Sequence, residues 1–197
     1  EIVKNFTKEE SVKIKIKVIT KNEKSGLKDA YFNAFRYALK NIKNLVGIIQ
    51  MDADLSHHPK YLKQHIDNLN NGVDLSIGSR YVKNGGVKNW GLGRKLLSRL
   101  GNLTNRVILS TKIHDYTGGF NGLSVKAIKR VLKPGQVTSG GYYFLTEMKY
   151  RIISSSDLSY KEFAIIFTDR TQGESKMGGT IIFEAFRQLW KIKFNKR

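Results

Sequence analysis

The spacing of apolar residues in the first half of the chain predicts strands and helices that alternate. Apolar residues at every second position of 12–18 predict a half-buried strand with a basic outer face. Residues 26–42 carry apolar side chains every three or four positions, which is typical of a helix. The apolar run 45–49 predicts a buried central strand, a helix is predicted to open near Pro59, and 73–77 predicts another strand. This alternation favours an α/β sheet with crossover helices.

The second half of the chain is less regular. Its glycines predict a loop from Gly85 to Gly93, and 171–179 is predicted to be a polar, glycine-bearing loop. The remaining predicted helices are 94–109, a helix that ends near 132, 142–153 and a helix at the carboxyl end. The remaining predicted strands are 122–125 and 163–167. We expect one domain over 1–180, followed by a basic amphipathic helix over 181–197.

Composition narrows the function classes. The 197 residues include 35 Lys and Arg against 16 Asp and Glu, for a formal net charge of +19. There is no cysteine, which excludes disulfides, thiolate zinc sites and a cysteine nucleophile. No apolar run approaches the length of a membrane-spanning helix, and the first residues do not resemble a signal peptide. We therefore expect a soluble protein of a reducing compartment whose positive field attracts nucleic acid, phosphorylated ligands or acidic lipid.

Two carboxylates follow the predicted central strand. Asp52 and Asp54 stand at i and i+2, so an extended segment directs both to the same side. Ligands of open α/β sheets bind at the carboxyl ends of strands, and paired hard oxygens suit Mg²⁺ or Mn²⁺. The alternative is a polar turn in which Asp54 caps the next helix. His57 and His58 lie beside the pair, but no further ligand at zinc spacing accompanies them.

Several basic residues stand beside glycine or hydroxyl residues, a setting that suits phosphate. Arg94 and Ser98 are one helical turn apart, so a guanidinium and a hydroxyl line the same face. Arg80 follows Gly78 and Ser79, while Arg170 and Lys176 flank a loop that is able to close over a diphosphate. The alternative reading of each is an ordinary basic surface or a plain connection.

Six segments together resemble one known family, in its order and at its spacing. They are Met51-Asp52-Ala53-Asp54-Leu55-Ser56-His57-His58-Pro59-Lys60, Gly78-Ser79-Arg80-Tyr81, Asn84-Gly85-Gly86-Val87, Arg94-Lys95-Leu96-Leu97-Ser98-Arg99, Asp115-Tyr116-Thr117-Gly118-Gly119-Phe120 and Asp169-Arg170-Thr171-Gln172-Gly173-Glu174-Ser175-Lys176. The chain resembles the dolichol-phosphate mannose synthases, family 2 glycosyltransferases of the GT-A fold. The resemblance implies a Rossmann-like mixed sheet flanked by helices. It also implies inverting transfer of mannose from GDP-mannose to dolichyl or polyprenyl phosphate, giving polyprenyl-phosphate mannose and GDP.

The resemblance also implies roles for individual residues. The implied donor-binding residues are Asp52, Ala53, Asp54, Arg80, Arg170 and Lys176. Arg94 and Ser98 are implied to bind the acceptor phosphate, and Asp52, Asp54 and Ser56 to bind Mg²⁺ or Mn²⁺. The implied catalytic residues are Asp54, Arg94 and Ser98. Some members have Gln where Ser56 stands, so the shorter hydroxyl would ligate directly or through water. Asp115 is expected to be a structural turn rather than a general base, because an acceptor phosphate is already mostly ionised at neutral pH.

The chain departs from the family at its start. Nothing before Val12 matches the family's strands that build the guanine and ribose pocket, so we expect the fold to be incomplete at its N-terminus. On that expectation the 197 residues alone bind GDP-mannose weakly or not at all.

The resemblance further implies a cytoplasmic enzyme held peripherally on an anionic membrane surface. A small membrane-anchoring subunit is a further implied partner, and no nucleic acid is expected. Three alternatives stay open: transfer of glucose or another hexose to the same lipid, a basic nucleic-acid-binding domain, and an inactive fragment.

Overall fold

The computed structural model describes residues 16–20, 26–141, 143–168 and 181–194, with the side chains of the last range described from Phe186 onward. In chain order the elements are α1 (Gly26–Asn41), β1 (Gly47–Gln50), a 3₁₀ turn (Pro59–Tyr61), α2 (Leu62–Asn70), β2 (Leu75–Ser79), β3 (Gly86–Lys88), α3 (Leu92–Ile108), β4 (Asn121–Ser124), α4 (Val125–Leu132), α5 (Tyr143–Ile153), β5 (Tyr160–Ala164), β6 (Ile166–Thr168) and α6 (Ile181–Phe194).

The main sheet is mixed and has the strand order β1-β4-β2-β5. Strand β4 runs antiparallel to β1 and β2, while β5 runs parallel to β2. Strands β1, β2 and β5 therefore point the same way. Their carboxyl ends share one edge of the sheet with the start of β4, and this edge collects the polar loops described below. A second, two-stranded sheet pairs β3 with β6 in parallel.

Helices cover both faces of the main sheet because its side chains alternate. Leu75 and Ile77 of β2 join one apolar core with residues of α1, α4, α5 and α6. Ser76, between them, points to the other face, where the side chains of His65 and Asn68 on α2 hydrogen-bond its hydroxyl at 3.0 and 2.9 Å. The buried hydroxyl on this second face therefore finds its hydrogen-bond partners on helix side chains, as buried polar groups require. The expected mixed α/β sheet flanked by helices is confirmed.

Several local predictions were wrong. Strand β1, predicted to be buried and central, is the outermost strand of the described four-stranded sheet and is only partly buried. The predicted strand over 163–167 is split at Ile165, whose N–H donates to Ser79 O while its carbonyl accepts from Gly86 N, so the chain passes from one sheet to the other. Strand β3 lies inside the segment predicted to be only a loop. Residues 16–18, predicted as the end of the strand over 12–18, have no regular structure, because no described strand pairs with them. Residues 12–15 lie outside the described residues.

Asp54 does not cap the helix near Pro59, which was the alternative to its metal-binding role. His58 is the capping residue, and its Nδ1 accepts from Lys60 N at 3.1 Å. Asp54 instead bonds to Ser56, two residues further on. Within the described parts of the chain, no helix is both long and apolar enough to cross a membrane.

Candidate active site

The predicted site residues of the first half come together because of strand direction. Asp52 follows the end of β1, Arg80 follows the end of β2, and the segment 115–119 precedes the start of β4. Since all three positions lie at one edge of the sheet, the loops meet. A Cβ placed on Gly119 would lie 3.8 Å from Asp52 Oδ1 and 3.7 Å from His57 Cε1, so this loop packs against the carboxylate of Asp52.

The turn after β1 holds its two carboxylates in different ways. Asp52 is 48% exposed. The Oδ1 atom of Asp54 accepts from the Ser56 hydroxyl at 2.5 Å and from Ser56 N at 3.1 Å. The hydrogen bond from the Ser56 hydroxyl lowers the pKa of Asp54, which keeps this carboxylate ionised. Leu55, between Asp54 and Ser56, has a φ of 63°. Bulky residues rarely adopt this left-handed conformation, so the backbone of this turn is strained.

His57 is a buried support for the turn. Its ring stacks on Phe120 with 4.8 Å between centroids, and its Nδ1 accepts a hydrogen bond of 3.0 Å from Asp52 N. An accepting Nδ1 carries no proton, so the 3.8 Å approach of this atom to Asp52 Oδ2 is not an ion pair. Burial lowers the pKa of His57, consistent with a neutral ring that fixes the backbone of Asp52.

Arg80 and Asp115 form a buried ion pair at the centre of the edge. Arg80 Nε donates to Asp115 Oδ2 and Nη2 to Oδ1, both at 2.8 Å, and Nη2 also donates to Thr117 Oγ1 at 2.8 Å. Asp115 further accepts from Arg80 N and Gly118 N. Burial alone would raise the pKa of Asp115, but the charge and hydrogen bonds of Arg80 hold it far below its usual range. With four hydrogen bonds accepted, this carboxylate has no site left to take a substrate proton.

Two further buried charges hold the backbone of the same loop. Lys149, fully buried on α5, donates from Nζ to the carbonyls of Asp115 and Gly118, both at 2.8 Å. Glu162 on β5 accepts from the backbone N–H groups of His114 at 2.8 Å and Asp115 at 3.0 Å. The loop is therefore held by Arg80 after β2, Lys149 on α5 and Glu162 on β5, which preorganises it against Asp52.

Arg94 and Ser98 lie at the other end of this cluster, on α3. The guanidinium of Arg94 stacks over Trp90, with Cζ 4.2 Å from the ring centroid, and Arg80 lies 5.7 Å from the same ring. The hydroxyls of Ser98 and Tyr81 are 2.7 Å apart. The face of Trp90 is thus within cation–π distance of both guanidiniums. The spacing prediction that Arg94 and Ser98 share a face is consistent with these contacts.

The donor set at Asp52 and Asp54 fits a hard divalent cation. Both residues are exposed, ionisable and on one short turn, and Mg²⁺ and Mn²⁺ are bound through one or two carboxylates with the rest of the shell left to water and phosphate. Ser56 is 2% exposed and donates a hydrogen bond from its hydroxyl to Asp54, which orients that carboxylate. Across the described ranges there is no cluster of three or more His, Asp or Glu of the kind that holds a metal without substrate.

The structure thus brings together Asp52, Ala53, Asp54, Ser56 and Arg80, with Arg94 and Ser98 linked to them through Trp90 and Tyr81. Arg170 and Lys176 lie outside the described residues. Sequence reasoning missed Trp90, Thr117 and Lys149. The hydroxyl–glycine–glycine run after Asp115 is a local signal for Thr117, whereas nothing local marks Lys149, which resembles any other lysine on a helix.

Comparison with known proteins identifies the family of this chain. Residues 1–132 match the model of the glycosyl transferase family 2. The chain belongs to the family 2 glycosyltransferases. It is 35% identical over 181 residues to a polyprenol monophosphomannose synthase of Mycolicibacterium smegmatis, and 33% identical over 184 residues to a dolichol-phosphate mannosyltransferase of Pyrococcus furiosus. The resemblance read from the six segments is confirmed, as is the expectation of a glycosyltransferase.

The matches cover nearly all of this chain but less of the relatives. They span 91% and 92% of this sequence, 67% of the Mycolicibacterium protein and 49% of the Pyrococcus protein. The matched residues 1–132 include Asp52, Asp54, Arg80, Arg94 and Asp115. Lys149 and Glu162, which support the loop of Asp115, lie beyond the match.

Proposed function

We propose that this protein transfers mannose from GDP-mannose to a polyprenyl phosphate, with inversion at the anomeric carbon, and so makes polyprenyl-phosphate mannose and GDP. Asp52 and Asp54 bind the donor diphosphate through the metal ion. The sequence motif assigns Arg170 and Lys176 to the same diphosphate. The acceptor phosphate lies at Arg94 and Ser98.

The saturated carboxylate of Asp115 is the observation that favours a phosphate acceptor. Transfer to a sugar hydroxyl needs a group that removes its proton, and Asp115 cannot do so, because it already accepts four hydrogen bonds. A phosphate monoester has its second pKa near about 6 and attacks as the dianion without a base. Positioning and charge then supply the catalysis.

Each end of the cluster has a distinct task in this reaction. Arg94 and Ser98 hold the nucleophilic phosphate by charge-assisted hydrogen bonds, which offsets its repulsion from the donor. Asp52 and Asp54 would hold Mg²⁺ or Mn²⁺, and such a cation would supply charge stabilisation to the leaving diphosphate. Arg80, whose guanidinium is committed to Asp115 and Thr117, fixes the loops between the two ends.

The test is transfer of radiolabelled mannose to a short-chain polyprenyl phosphate in detergent, with the protein that carries this sequence, Mn²⁺ and GDP-mannose. We expect label in the organic phase, and none with the Asp52→Ala/Asp54→Ala protein. UDP-glucose is assayed in parallel. A lipid product from UDP-glucose alone would establish the rival hexose transfer, and no lipid product from either donor would refute the proposal.

A further inference from the structure

Strand β6 is held from both of its ends against neighbouring segments of the candidate active site. Its first residue, Ile166, donates its N–H to the hydroxyl of Tyr61 at 2.9 Å. Its last residue, Thr168, donates its N–H to Ser56 O at 3.3 Å, in the turn that follows β1. Phe167, between these two anchored residues, therefore has a fixed place beside that turn.

The ring of Phe167 contacts two other rings of the site. It meets the ring of His57 edge to face, with 5.3 Å between centroids and 76° between the planes. It meets the ring of Trp90 in the same manner, at 5.6 Å and 72°. Edge-to-face packing at these distances is a preferred arrangement of aromatic pairs. Phe167 therefore bridges His57 and Trp90 through two well-formed contacts.

Each of these two partners fixes a group that the proposed reaction uses. His57 Nδ1 accepts from Asp52 N at 3.0 Å, so its ring sets the backbone of a predicted metal ligand. Trp90 carries the guanidinium of Arg94 over its face, with Cζ 4.2 Å from the ring centroid. Since close-packed side chains transmit displacements to one another, a shift of either ring reaches the other through Phe167.

We propose that Phe167 is a positioning residue that holds the metal-binding turn in register with the acceptor-phosphate residue Arg94. The inference rests on the proposed function, because only a reaction between two bound substrates requires its two ends to be aligned. An acceptor phosphate that is already ionised needs placement rather than a general base, and a misplacement of about 1 Å is able to cost about a hundredfold in rate.

Phe163 provides a matched comparison within the same part of the chain. It is also a half-buried phenylalanine, four residues earlier, on β5. Its ring contacts those of Tyr61 and His65, with 6.4 and 4.7 Å between centroids. Leucine at either position removes a ring and keeps an apolar side chain, a change that packed interiors tolerate. Tyrosine at 167 keeps the ring.

The first test measures transfer by the protein that carries this sequence in four forms: wild type, Phe167→Leu, Phe167→Tyr and Phe163→Leu. We expect Phe167→Leu to lower kcat about tenfold or more, with GDP-mannose and polyprenyl phosphate both saturating. Phe167→Tyr and Phe163→Leu are expected to stay within about twofold of wild type. The thermal midpoints of the two leucine variants fall by similar amounts, so a kcat loss confined to Phe167→Leu separates positioning from stability.

The second test follows the fluorescence of Trp90 and needs no transfer. The chain has two tryptophans, so Trp190→Phe leaves Trp90 as the sole indole. In that background, Mg²⁺ with GDP, and separately with UDP, is added to each form. We expect a nucleotide-dependent change in Trp90 emission, because the metal-binding turn is linked to Trp90 through Phe167. Phe167→Leu should lose most of this change, whereas Phe163→Leu should keep it.

Wild-type kcat in Phe167→Leu would overturn the proposal, as would equal kcat losses in the two leucine variants or an equal loss in Phe167→Tyr. A Trp90 signal that Phe167→Leu leaves unchanged would overturn it too, as would the absence of a signal with either nucleotide. If no form transfers mannose, the proposed function fails, and the fluorescence still decides the role of Phe167. A Trp90 signal lost in Phe167→Leu and kept in Phe163→Leu would then support the positioning role.

Discussion

The guanidinium of Arg80 and the carboxylate of Asp115 face each other in a two-point ion pair, with both donor–acceptor distances 2.8 Å and the two side chains 8% and 0% exposed. Thr117 takes a further hydrogen bond from the same guanidinium. The pair links the loop after β2 to the loop before β4, so the geometry of the candidate active site depends on it.

Asp115→Asn is expected to destabilise the protein by about 3 kcal/mol or more, because it leaves the charge of Arg80 buried without a counter-ion. Urea unfolding at neutral pH measures this. Asp157→Asn is the matched control: Asp157 also pairs with an arginine at 2.8 Å, but on the surface, and its loss is expected to change stability little. Equal effects of the two substitutions would show that burial of the Arg80 pair is not what matters.

The same pair predicts a direction for acid sensitivity. Arg80 holds the pKa of Asp115 below its unfolded value of about 3.9. A depressed carboxyl pKa contributes stability that is present above the unfolded value and lost as the pH falls from there toward the folded one. Wild-type stability should therefore fall below roughly pH 4 more steeply than that of Asp115→Asn, in urea titrations across this range.

Lys149 predicts an effect on the alkaline side. Burial lowers its pKa from 10.5 to about 8, against the opposing influence of Asp115. Between these two values the unfolded chain keeps a proton that the folded protein releases, so the free energy of unfolding rises with pH, by up to about 1.4 kcal/mol per pH unit. Lys149→Met should lack this rise in urea unfolding from pH 7.5 to 10. Lys63→Met, at an exposed lysine, should keep it, and a rise retained in Lys149→Met would contradict the assignment.

The two glycines after Thr117 predict opposite outcomes for the same substitution. A Cβ at Gly118 would lie 3.1 Å from Asp115 Oδ1, which the contacts with Arg80 hold in place, whereas a Cβ at Gly119 would meet nothing nearer than 3.7 Å. Gly118→Ala is expected to cost about 1–3 kcal/mol and Gly119→Ala within about 0.5 kcal/mol, measured by urea unfolding. Equal costs would indicate that the loop adjusts freely.

Asp52→Ala/Asp54→Ala is expected to abolish Mn²⁺ binding in the presence of GDP, followed by electron paramagnetic resonance of the free ion, because both predicted ligand carboxylates are removed. Asp67→Ala, which removes an exposed carboxylate paired with Lys63, is the control and should bind Mn²⁺ as wild type does. Undiminished Mn²⁺ binding by the double variant would refute the metal assignment.

Arg94→Ala is expected to raise the KM for polyprenyl phosphate about tenfold or more and to change the KM for GDP-mannose much less. The reason is the loss of a charge-assisted hydrogen bond, worth about 1.5–3 kcal/mol, at the acceptor end of the cluster. Steady-state kinetics with each substrate varied in turn measure both constants. Arg36→Ala, at an exposed arginine of α1, should change neither, and equal increases in both constants for Arg94→Ala would argue against an acceptor role.

Local pattern was sufficient for most elements. The apolar run before Asp52 and the periodicity of residues 26–42 predicted β1 and α1 to within two residues at most ends, because strand and helix periods are properties of neighbouring residues. The pattern failed at Ile165, where the apolar run continues although the chain changes sheets. That change depends on which strand lies alongside, and it leaves no mark on the run itself.

The sequence by itself determined that carboxylates follow a short apolar strand, that Arg94 and Ser98 share a helical face, and that the chain resembles family 2 glycosyltransferases. Only the tertiary structure decided that Arg80 is paired with Asp115, 35 residues away, and that Lys149 supports the same loop. It also decided which way α3 turns. Periodicity establishes that a helix has an apolar and a polar face, but the face that meets the protein is chosen by the free energy of the whole fold. Here the buried hydrogen bonds of Asn102 place the polar face inward and leave Leu92, Leu96, Leu100, Leu103 and Val107 exposed.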